Sequence, residues 1–309
     1  MAKYIVKRVL AMLLTLFVVV SLTFFLVHAI PGDPLASMAK ALPQQTREAY
    51  YARYGLDKPV FEQYVLYMKN LLRLDLGSSL KFAGRSVGGT IASTAPISGL
   101  VGGIALLIGT AVGVLLGILA ALNKGKWPDQ VIRVVAILGT TIPVFVLISL
   151  FQLFFAVKMG WLPSSGWGKP IHLVMPVMVM CIGTIATYSR YVRTSMLETL
   201  DQDYVLTARA KGLSEFKIVT RHVLRNSLMP AVTIFVSSMV GIFTGAFITE
   251  QMFSIPGIGF YYITSINQRD YTMVMGTTVF YAVLFIVMQM VLDIIYTLID
   301  PRIRVAGGK

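Results

Sequence analysis

The sequence has few of the residues on which soluble domains and metalloproteins depend. Charged residues make up only 13% of its 309 positions, whereas an ordinary soluble domain carries roughly a quarter. Its single cysteine, Cys181, excludes an intramolecular disulfide and a cysteine-based metal cluster. Because Cys181 lies in an apolar segment, we expect a small buried residue and not a reactive thiol. A water-soluble fold is not expected for such a chain.

Motifs of catalysis are also lacking. The three histidines lie far apart, and neither a His-Glu-x-x-His pair nor a Gly-x-Ser-x-Gly turn occurs. The phosphate-binding pattern Gly-x4-Gly-Lys-Ser/Thr fails at Gly125-Lys126, which is followed by Trp127 and has Ala120 at the first glycine position. We therefore expect a chain without enzymatic activity, metal or cofactor of its own. If ATP drives its function, another subunit must hydrolyse it.

Long apolar segments dominate what is present. Hydrophobic residues make up 56% of the chain, and several uncharged stretches exceed the roughly 20 residues that a helix needs to cross a bilayer. Hydropathy predicts an all-α membrane protein with six transmembrane helices, at about 9–30, 96–122, 131–157, 173–192, 228–250 and 273–299. The first segment is too long for the core of a signal peptide, so we interpret it as a retained span.

The charges indicate an orientation. The net charge of +13 is spread between the apolar segments and not along one basic face with aromatic residues, which argues against nucleic-acid binding. With the N-terminus placed in the cytoplasm, 16 basic residues lie in inside segments and three in the short outside segments. This asymmetry predicts a multi-pass membrane protein with both termini cytoplasmic.

The spans divide the chain into four parts. In order, they are transmembrane helix 1, a small extracellular subdomain, a core of helices 2 to 6 and a cytoplasmic tail, at 1–30, 31–95, 96–299 and 300–309. The second part stands out because Pro31-Gly32-Asp33-Pro34 ends the first helix and a mixed-charge amphipathic stretch, Pro59–Met68, follows. At this length it buries little core of its own and should rest on span ends or on a partner.

Glycines recur at helical spacing in two predicted spans. Gly109, Gly113 and Gly117 lie on one face of the second span, and Gly241 and Gly245 lie four residues apart in the fifth. Such strips allow a close approach of another backbone. The contact helix belongs either to this chain or to a partner.

Two prolines and three hydroxyl residues mark other spans. Pro143 and Pro176 each remove a backbone donor, so we expect local kinks, either as fixed bends or as moving parts. Thr233, Ser237 and Thr244 fall on one side of the fifth span. They either line a polar pathway or form hydrogen bonds between helices.

The longest cytoplasmic loop, at about 195–227, is predicted to form two short helices. Asp201 or Asp203 is suited to cap the first helix, and Ser214 to cap the second. Gly212 is suited to end the first in the left-handed conformation. A polar helix–turn–helix in the cytosol indicates a binding surface.

The loop follows a known pattern, Glu-Ala-Ala-x3-Gly-x9-Ile-x-Leu-Pro. Ala208, Gly212 and Leu224 match it, and Pro230 stands at a later proline of the family. Departures occur at Leu206, Thr207, His222 and Arg225. Through the matching positions the loop resembles that of the permeases of ATP-binding-cassette (ABC) importers. In those permeases the loop docks into a cleft of the ATPase subunit. The resemblance implies a coupling site formed by Asp203, Thr207, Ala208, Arg209, Ala210, Lys211, Gly212, Leu213, Leu224 and Pro230.

The departures resemble the dipeptide/oligopeptide branch of these permeases, through Thr-Ala-Arg-Ala-Lys-Gly-Leu and the following Arg-His-x-Leu-Arg-Asn-x-Leu-x-Pro. The resemblance extends along nearly the whole chain, through Pro31–Pro34, Tyr54–Pro59, Asp75–Ser79, Phe253–Gly259, Arg269–Tyr271 and Asp300–Ile303. The large external region between the first two spans is similar to that of the first of the family's two homologous permeases.

This resemblance implies a type I ABC importer permease in a bacterial cell membrane. Its partners would be a homologous second permease, two ATPase subunits that hold ATP and Mg²⁺, an extracellular substrate-binding lipoprotein and the lipid bilayer. The peptide substrate would be recognised mainly by the binding protein.

Two alternatives remain open. The same architecture imports nickel, opines or glutathione in relatives of this branch. A self-sufficient channel or ion-driven carrier belongs to another class, and it usually carries carboxylates near the membrane midplane. Glu250 and Asp293 lie instead towards the ends of predicted spans. Transport by the purified chain alone would distinguish this second class.

Overall fold

The computed structural model describes residues 2–31, 43–82, 84–244 and 246–299. Within these ranges the chain is helical apart from its connections and one isolated bridge between Ser78 and Ser86. Helices suit an apolar chain because each satisfies its own backbone hydrogen bonds. The chain divides into two compact units, one of which contains residues up to Ile97 together with Pro256–Val287, and the other Ser98–Ile255 with the described part of Met288–Ile303.

The first unit is built around the N-terminal helix and the last two helices. Its elements are α1 (Ala2–Ala29), α2 (Gln44–Tyr54), α3 (Val60–Leu72), the first turns of α4 (Val87–Leu122), α13 (Ile258–Gln268) and most of α14 (Tyr271–Ile299). Its main core cluster consists of Phe24, Val27, Leu80, Tyr271, Val274 and Met275. Amphipathic α3 adds Tyr64 and Tyr67 to this cluster, so the segment that is predicted to be extracellular packs on the helices of its own unit.

A buried carboxylate joins two distant segments of this unit. Asp270 is fully buried at the start of α14 and accepts the Ser79 hydroxyl. The backbone N–H groups of Leu80 and Met273 also donate to its Oδ1, each at 3.1 Å. Asp270 therefore caps α14 and fixes the 79–81 turn at once, which compensates for its burial.

The second unit contains the rest of α4 and the central part of the chain. Its helices are α5 (Trp127–Thr141), α6 (Val144–Phe151) with a π-helical continuation (Gln152–Lys158), α7 (Ile171–Leu200), α8 (Asp203–Ala210), α9 (Glu215–Ile218), a π-helical turn (Val219–Val223), α10 (Leu224–Ser227), α11 (Met229–Thr244) and α12 (Phe247–Phe253). Cys181 on α7 is buried, as expected, and its thiol donates to the Ala105 carbonyl at 3.3 Å.

The glycine strip of α4 is a contact within this chain. A Cβ placed on the three glycines would lie 2.7 Å from the nearest α7 atom, for the pairs Gly109 and Thr184, Gly113 and Tyr188, Gly117 and Val192. Only residues without a side chain permit this approach, which decides between the two interpretations of the strip. A Cβ on Gly241 would meet nothing within 4 Å, and Gly245 lies outside the described residues.

The predicted spans agree with the helices in part. Among the described residues, four helices are long and apolar enough to cross a membrane: Arg8–Ala29, Val87–Leu122, Ile171–Leu200 and Tyr271–Leu292. A fifth arises if Trp127–Thr141 and Val144–Lys158, which are bent by 104°, form one span. The kink predicted at Pro143 is thus a complete break, whereas Pro176 lies inside the continuous α7.

The six-span count stays a prediction. The fifth predicted span, 228–250, contains the 16-residue α11 and the start of α12. The segment Gly32–Pro34, the tail 300–309 and its motif Asp300–Ile303 lie outside the described residues.

Candidate functional site

The loop at about 195–227, which is predicted to be cytoplasmic, forms the helix–turn–helix that the sequence predicts. Helix α8 is followed by a turn, and α9, the π-helical turn and α10 form the second arm. The capping predictions were wrong in part. Gln202 and not an aspartate precedes α8, and Ser214 stands at the start of α9 without a side-chain capping bond. Because residues 201–204 are exposed, water is available to the free N–H groups at the start of α8.

Gly212 makes the turn between the two arms. Its φ is +76°, a left-handed value that other residues adopt only at a cost, and a Cβ there would meet nothing within 4 Å. Its N–H donates to the Arg209 carbonyl at 2.9 Å, and the Leu213 N–H donates to the Ala208 carbonyl at 3.3 Å. The predicted role of Gly212 as a left-handed helix end is confirmed.

One face of the loop is anchored in the core of the second unit. Five loop residues are buried there: Val205, Ala208, Ile218, Val219 and Val223. They cluster with residues of α4, α7 and α11, namely Leu106, Ala121, Tyr188, Val192, Met196 and Ala231. Ala208 is only 5% exposed, so it supports the loop from beneath and presents no surface to a partner.

The opposite face of the loop is open. Residues 209–217 are all exposed, and they include two large apolar side chains, Leu213 and Phe216. Phe216 is 79% exposed, which is unusual for an aromatic side chain beside a buried core. Phe216 is absent from the coupling residues that the sequence predicts. Its isolation among polar residues, two residues before the apolar Ile218 and Val219, was the available signal.

Two polar contacts tie the arms of the loop together. Arg209 forms a bidentate ion pair with Glu215, with Nε–Oε1 at 2.8 Å and Nη2–Oε2 at 3.3 Å. The guanidinium lowers the pKa of the Glu215 carboxyl and so favours its charged form. At the other end, Asn226 Nδ2 donates to the Tyr204 hydroxyl at 2.8 Å. The exposed tip therefore has a defined shape.

The other predicted coupling residues lie around this tip. Asp203, Thr207, Ala210 and Lys211 are exposed, and the Thr207 hydroxyl donates to the Asp203 carbonyl within α8. Leu224 is partly buried against the loop core, and Pro230 is exposed in the first turn of α11. These last two residues belong to the base of the loop and not to its tip.

The residues predicted to line the pathway lie on α11. Thr233 is half-buried, and Ser237 is exposed with its hydroxyl donating to the Thr233 carbonyl at 3.2 Å. The side chain of Thr244 lies outside the described part of the chain. Their lining role stays a prediction.

Similarity to known proteins covers almost the whole chain. Residues 113–305 match the family "Binding-protein-dependent transport system inner membrane component", and residues 1–94 match the N-terminal part described for such membrane components. The chain belongs to this family. The resemblance deduced from the loop and the scattered motifs is thereby confirmed.

Individual relatives agree with this assignment. A dipeptide transport system permease protein of Bacillus subtilis is 42% identical over 306 residues, which cover 98% of each protein. An oligopeptide transport system permease protein of Haemophilus influenzae is 38% identical over 98% of this chain and all of that protein. A solved structure of the MetNI methionine ABC transporter in an inward-facing conformation matches with a TM-score of 0.55 at 16% identity, over 68% of this chain and 96% of the other. The fold is therefore that of a type I ABC importer permease.

Proposed function

We propose that this chain is a permease subunit of an ATP-driven importer of dipeptides or oligopeptides, and that it forms half of the translocation pathway. Relatives named as dipeptide or oligopeptide permeases match it over 98% of its length at 34–42% identity. The mechanical part of this proposal is supported by the two faces of the cytoplasmic loop. One face is anchored in the core, and the other is open and bears Phe216.

The loop acts as the mechanical link in this proposal. Two partner ATPase subunits bind ATP and Mg²⁺, and their approach pushes on the tip around Gly212 and Phe216. Because Val205, Ile218 and Val223 are buried among residues of α4 and α7, a force on the tip passes directly to those helices. A homologous second permease supplies the other half of the path, and an extracellular binding lipoprotein delivers the peptide.

Truncation of Phe216 tests this link. An exposed aromatic side chain that becomes buried in an interface is typical of residues whose loss costs about 2 kcal/mol, or roughly 30-fold in affinity. We expect Phe216→Ala to weaken the binding of the ATPase subunits, measured by co-purification, and to reduce peptide-stimulated ATP hydrolysis. Phe61→Ala is the matched control because Phe61 is 68% exposed on α3, in the predicted extracellular part.

An unchanged ATPase affinity in Phe216→Ala would remove the loop tip from the interface. Equal losses in Phe216→Ala and Phe61→Ala would point to a general effect of removing surface aromatics. Either result leaves the family assignment intact and rejects only this coupling surface.

The orientation has its own experiment. We expect a single cysteine at Lys58 to react with an impermeant reagent on intact cells and one at Lys217 to be protected, after Cys181 is replaced. Both lysines are exposed, so accessibility depends only on the side of the membrane. Labelling at Lys217 without labelling at Lys58 would reverse the proposed topology, in which both termini are cytoplasmic.

A further inference from the structure

A polar depression lies at the base of the cytoplasmic loop, apart from the tip. It has a volume of about 460 Å³. Six residues of the second unit line it: Tyr204, Arg221, His222, Arg225, Asn226 and Met229. Three of these six carry basic groups, and none is acidic. The coupling role proposed for the tip gives this concentration of positive charge no function.

The two arginines in the depression have no carboxylate partner among the residues that the structure describes. Arg221 and Arg225 are exposed and lie four residues apart, and neither is within 4.0 Å of a carboxylate in the described part of the chain. Elsewhere in the same unit Arg193 and Arg209 each form a bidentate pair with an acidic side chain. Like charges four residues apart repel each other along a helix. An anion between them would relieve that repulsion.

The remaining polar groups complete a set of donors. Because the Tyr204 hydroxyl accepts the Asn226 amide at 2.8 Å, its own hydrogen is free to donate into the depression. Arginine guanidinium groups carry donors only, and their planar fork matches the oxygens of a phosphate. A ligand rich in acceptors is therefore indicated, and a phosphate group fits this description.

The apolar edge of the depression distinguishes between sources of phosphate. Met229 is the first residue of α11 and is 38% exposed, and Val232, one turn further along this apolar helix, is 39% exposed. A phosphate with attached acyl chains can place its headgroup on the arginines and its chains along these two residues. Basic pockets on the cytoplasmic side of membrane helices bind anionic lipids in this way. We propose that this depression binds the phosphate of an anionic phospholipid headgroup.

The test compares two lipids on the purified full-length chain. Native mass spectrometry in detergent would measure the binding of phosphatidylglycerol and of phosphatidylcholine with the same acyl chains. We expect phosphatidylglycerol to bind the wild type at least about 10-fold more tightly. The variant R221Q/R225Q should lose this preference, and R221K/R225K, which keeps the charge, should retain most of it. If the double glutamine variant does not fold, R225Q alone should lower the preference several-fold.

The matched control is K124Q/K217Q. It also removes two positive charges, but from exposed positions of the same unit that do not line the depression. It should therefore keep the preference for phosphatidylglycerol. Equal loss in both double variants would show diffuse electrostatic attraction and overturn the proposal. Inorganic phosphate that binds as tightly as the lipid would also overturn it. A lipid preference unchanged in R221Q/R225Q, together with weaker ATPase co-purification, would assign the arginines to an acidic surface of the partner.

Discussion

Gly113 offers the sharpest test of the contact between α4 and α7. In Gly113→Ala the new methyl group would lie 2.7 Å from Tyr188 Cβ, 3.0 Å from the Ile185 carbonyl oxygen and 3.1 Å from Ile185 Cα. None of these atoms can rotate away, because two are backbone atoms and the third is attached to the backbone. Since carbon atoms pack at about 3.5–4.0 Å, the helices must separate by roughly 1 Å at this point.

The separation has an energetic cost that can be bounded. Inserting a methyl group into a well-packed contact costs about 1–3 kcal/mol. Alanine also gains up to about 1 kcal/mol over glycine as a helix former, which offsets part of the cost. With the full gain subtracted, we expect Gly113→Ala to be destabilising by up to about 2 kcal/mol. The flanking contacts at Gly109 and Gly117 loosen with it because they lie on the same face.

The control for this prediction is Gly103→Ala on the same helix. A Cβ on Gly103 would meet nothing within 4 Å. That variant therefore gains the higher helix propensity of alanine without a steric clash. Thermal unfolding of the isolated chain in detergent should show a lower midpoint for Gly113→Ala and an unchanged or higher midpoint for Gly103→Ala. Equal shifts in the two variants would refute the reasoning that α4 and α7 are in close backbone contact.

Three further outcomes are expected. Gly212→Val should leave the subunit folded while weakening coupling between ATP hydrolysis and peptide uptake, whereas Gly160→Val, at a similar φ of +66° on the predicted outer side, should not uncouple them. Asp129→Asn should be destabilising by about 2–4 kcal/mol in chemical unfolding because Arg193, only 18% exposed, loses its charged partner. The folded pKa of Glu215 is lowered, so its pairing stabilises the loop above the ordinary carboxyl pKa and is lost as the pH falls through the folded value. The wild-type loop should lose protection from hydrogen exchange as the pH falls through this value. Glu215→Gln should show no such loss.

Local patterns predicted the features that depend on single residue types. The kink expected at Pro143, which is a complete break in the structure, the left-handed turn at Gly212 and the glycine strip around Gly113 all follow from backbone properties of proline and glycine. Each requires only that the residue be in the right kind of element. The identity of the helix facing the strip could not be predicted, because a glycine spacing does not name its partner.

The orientation of the loop helices was not predictable in the same way. Helix α8 has only eight residues, which is too short for its apolar period to define a face. In a regular helix Ile218, Val219 and Val223 would spread over about 140° of the helix surface. The π-helical turn at Val219–Val223 changes the period and brings the three buried residues onto a narrower face. Ala208 was therefore included among the contact residues and Phe216 was omitted.

The carboxylate of Asp270 has a consequence for exchanging segments between relatives. It binds the Ser79 hydroxyl and backbone N–H groups on both sides of a gap of about 190 residues. A chimera that takes the segment containing Ser79 from one permease and its last helix from another would combine a turn and a carboxylate that have not been selected together. If the turn shifts by a few tenths of an ångström, a fully buried negative charge loses donors. Recombination between relatives should therefore succeed only when both segments come from the same parent.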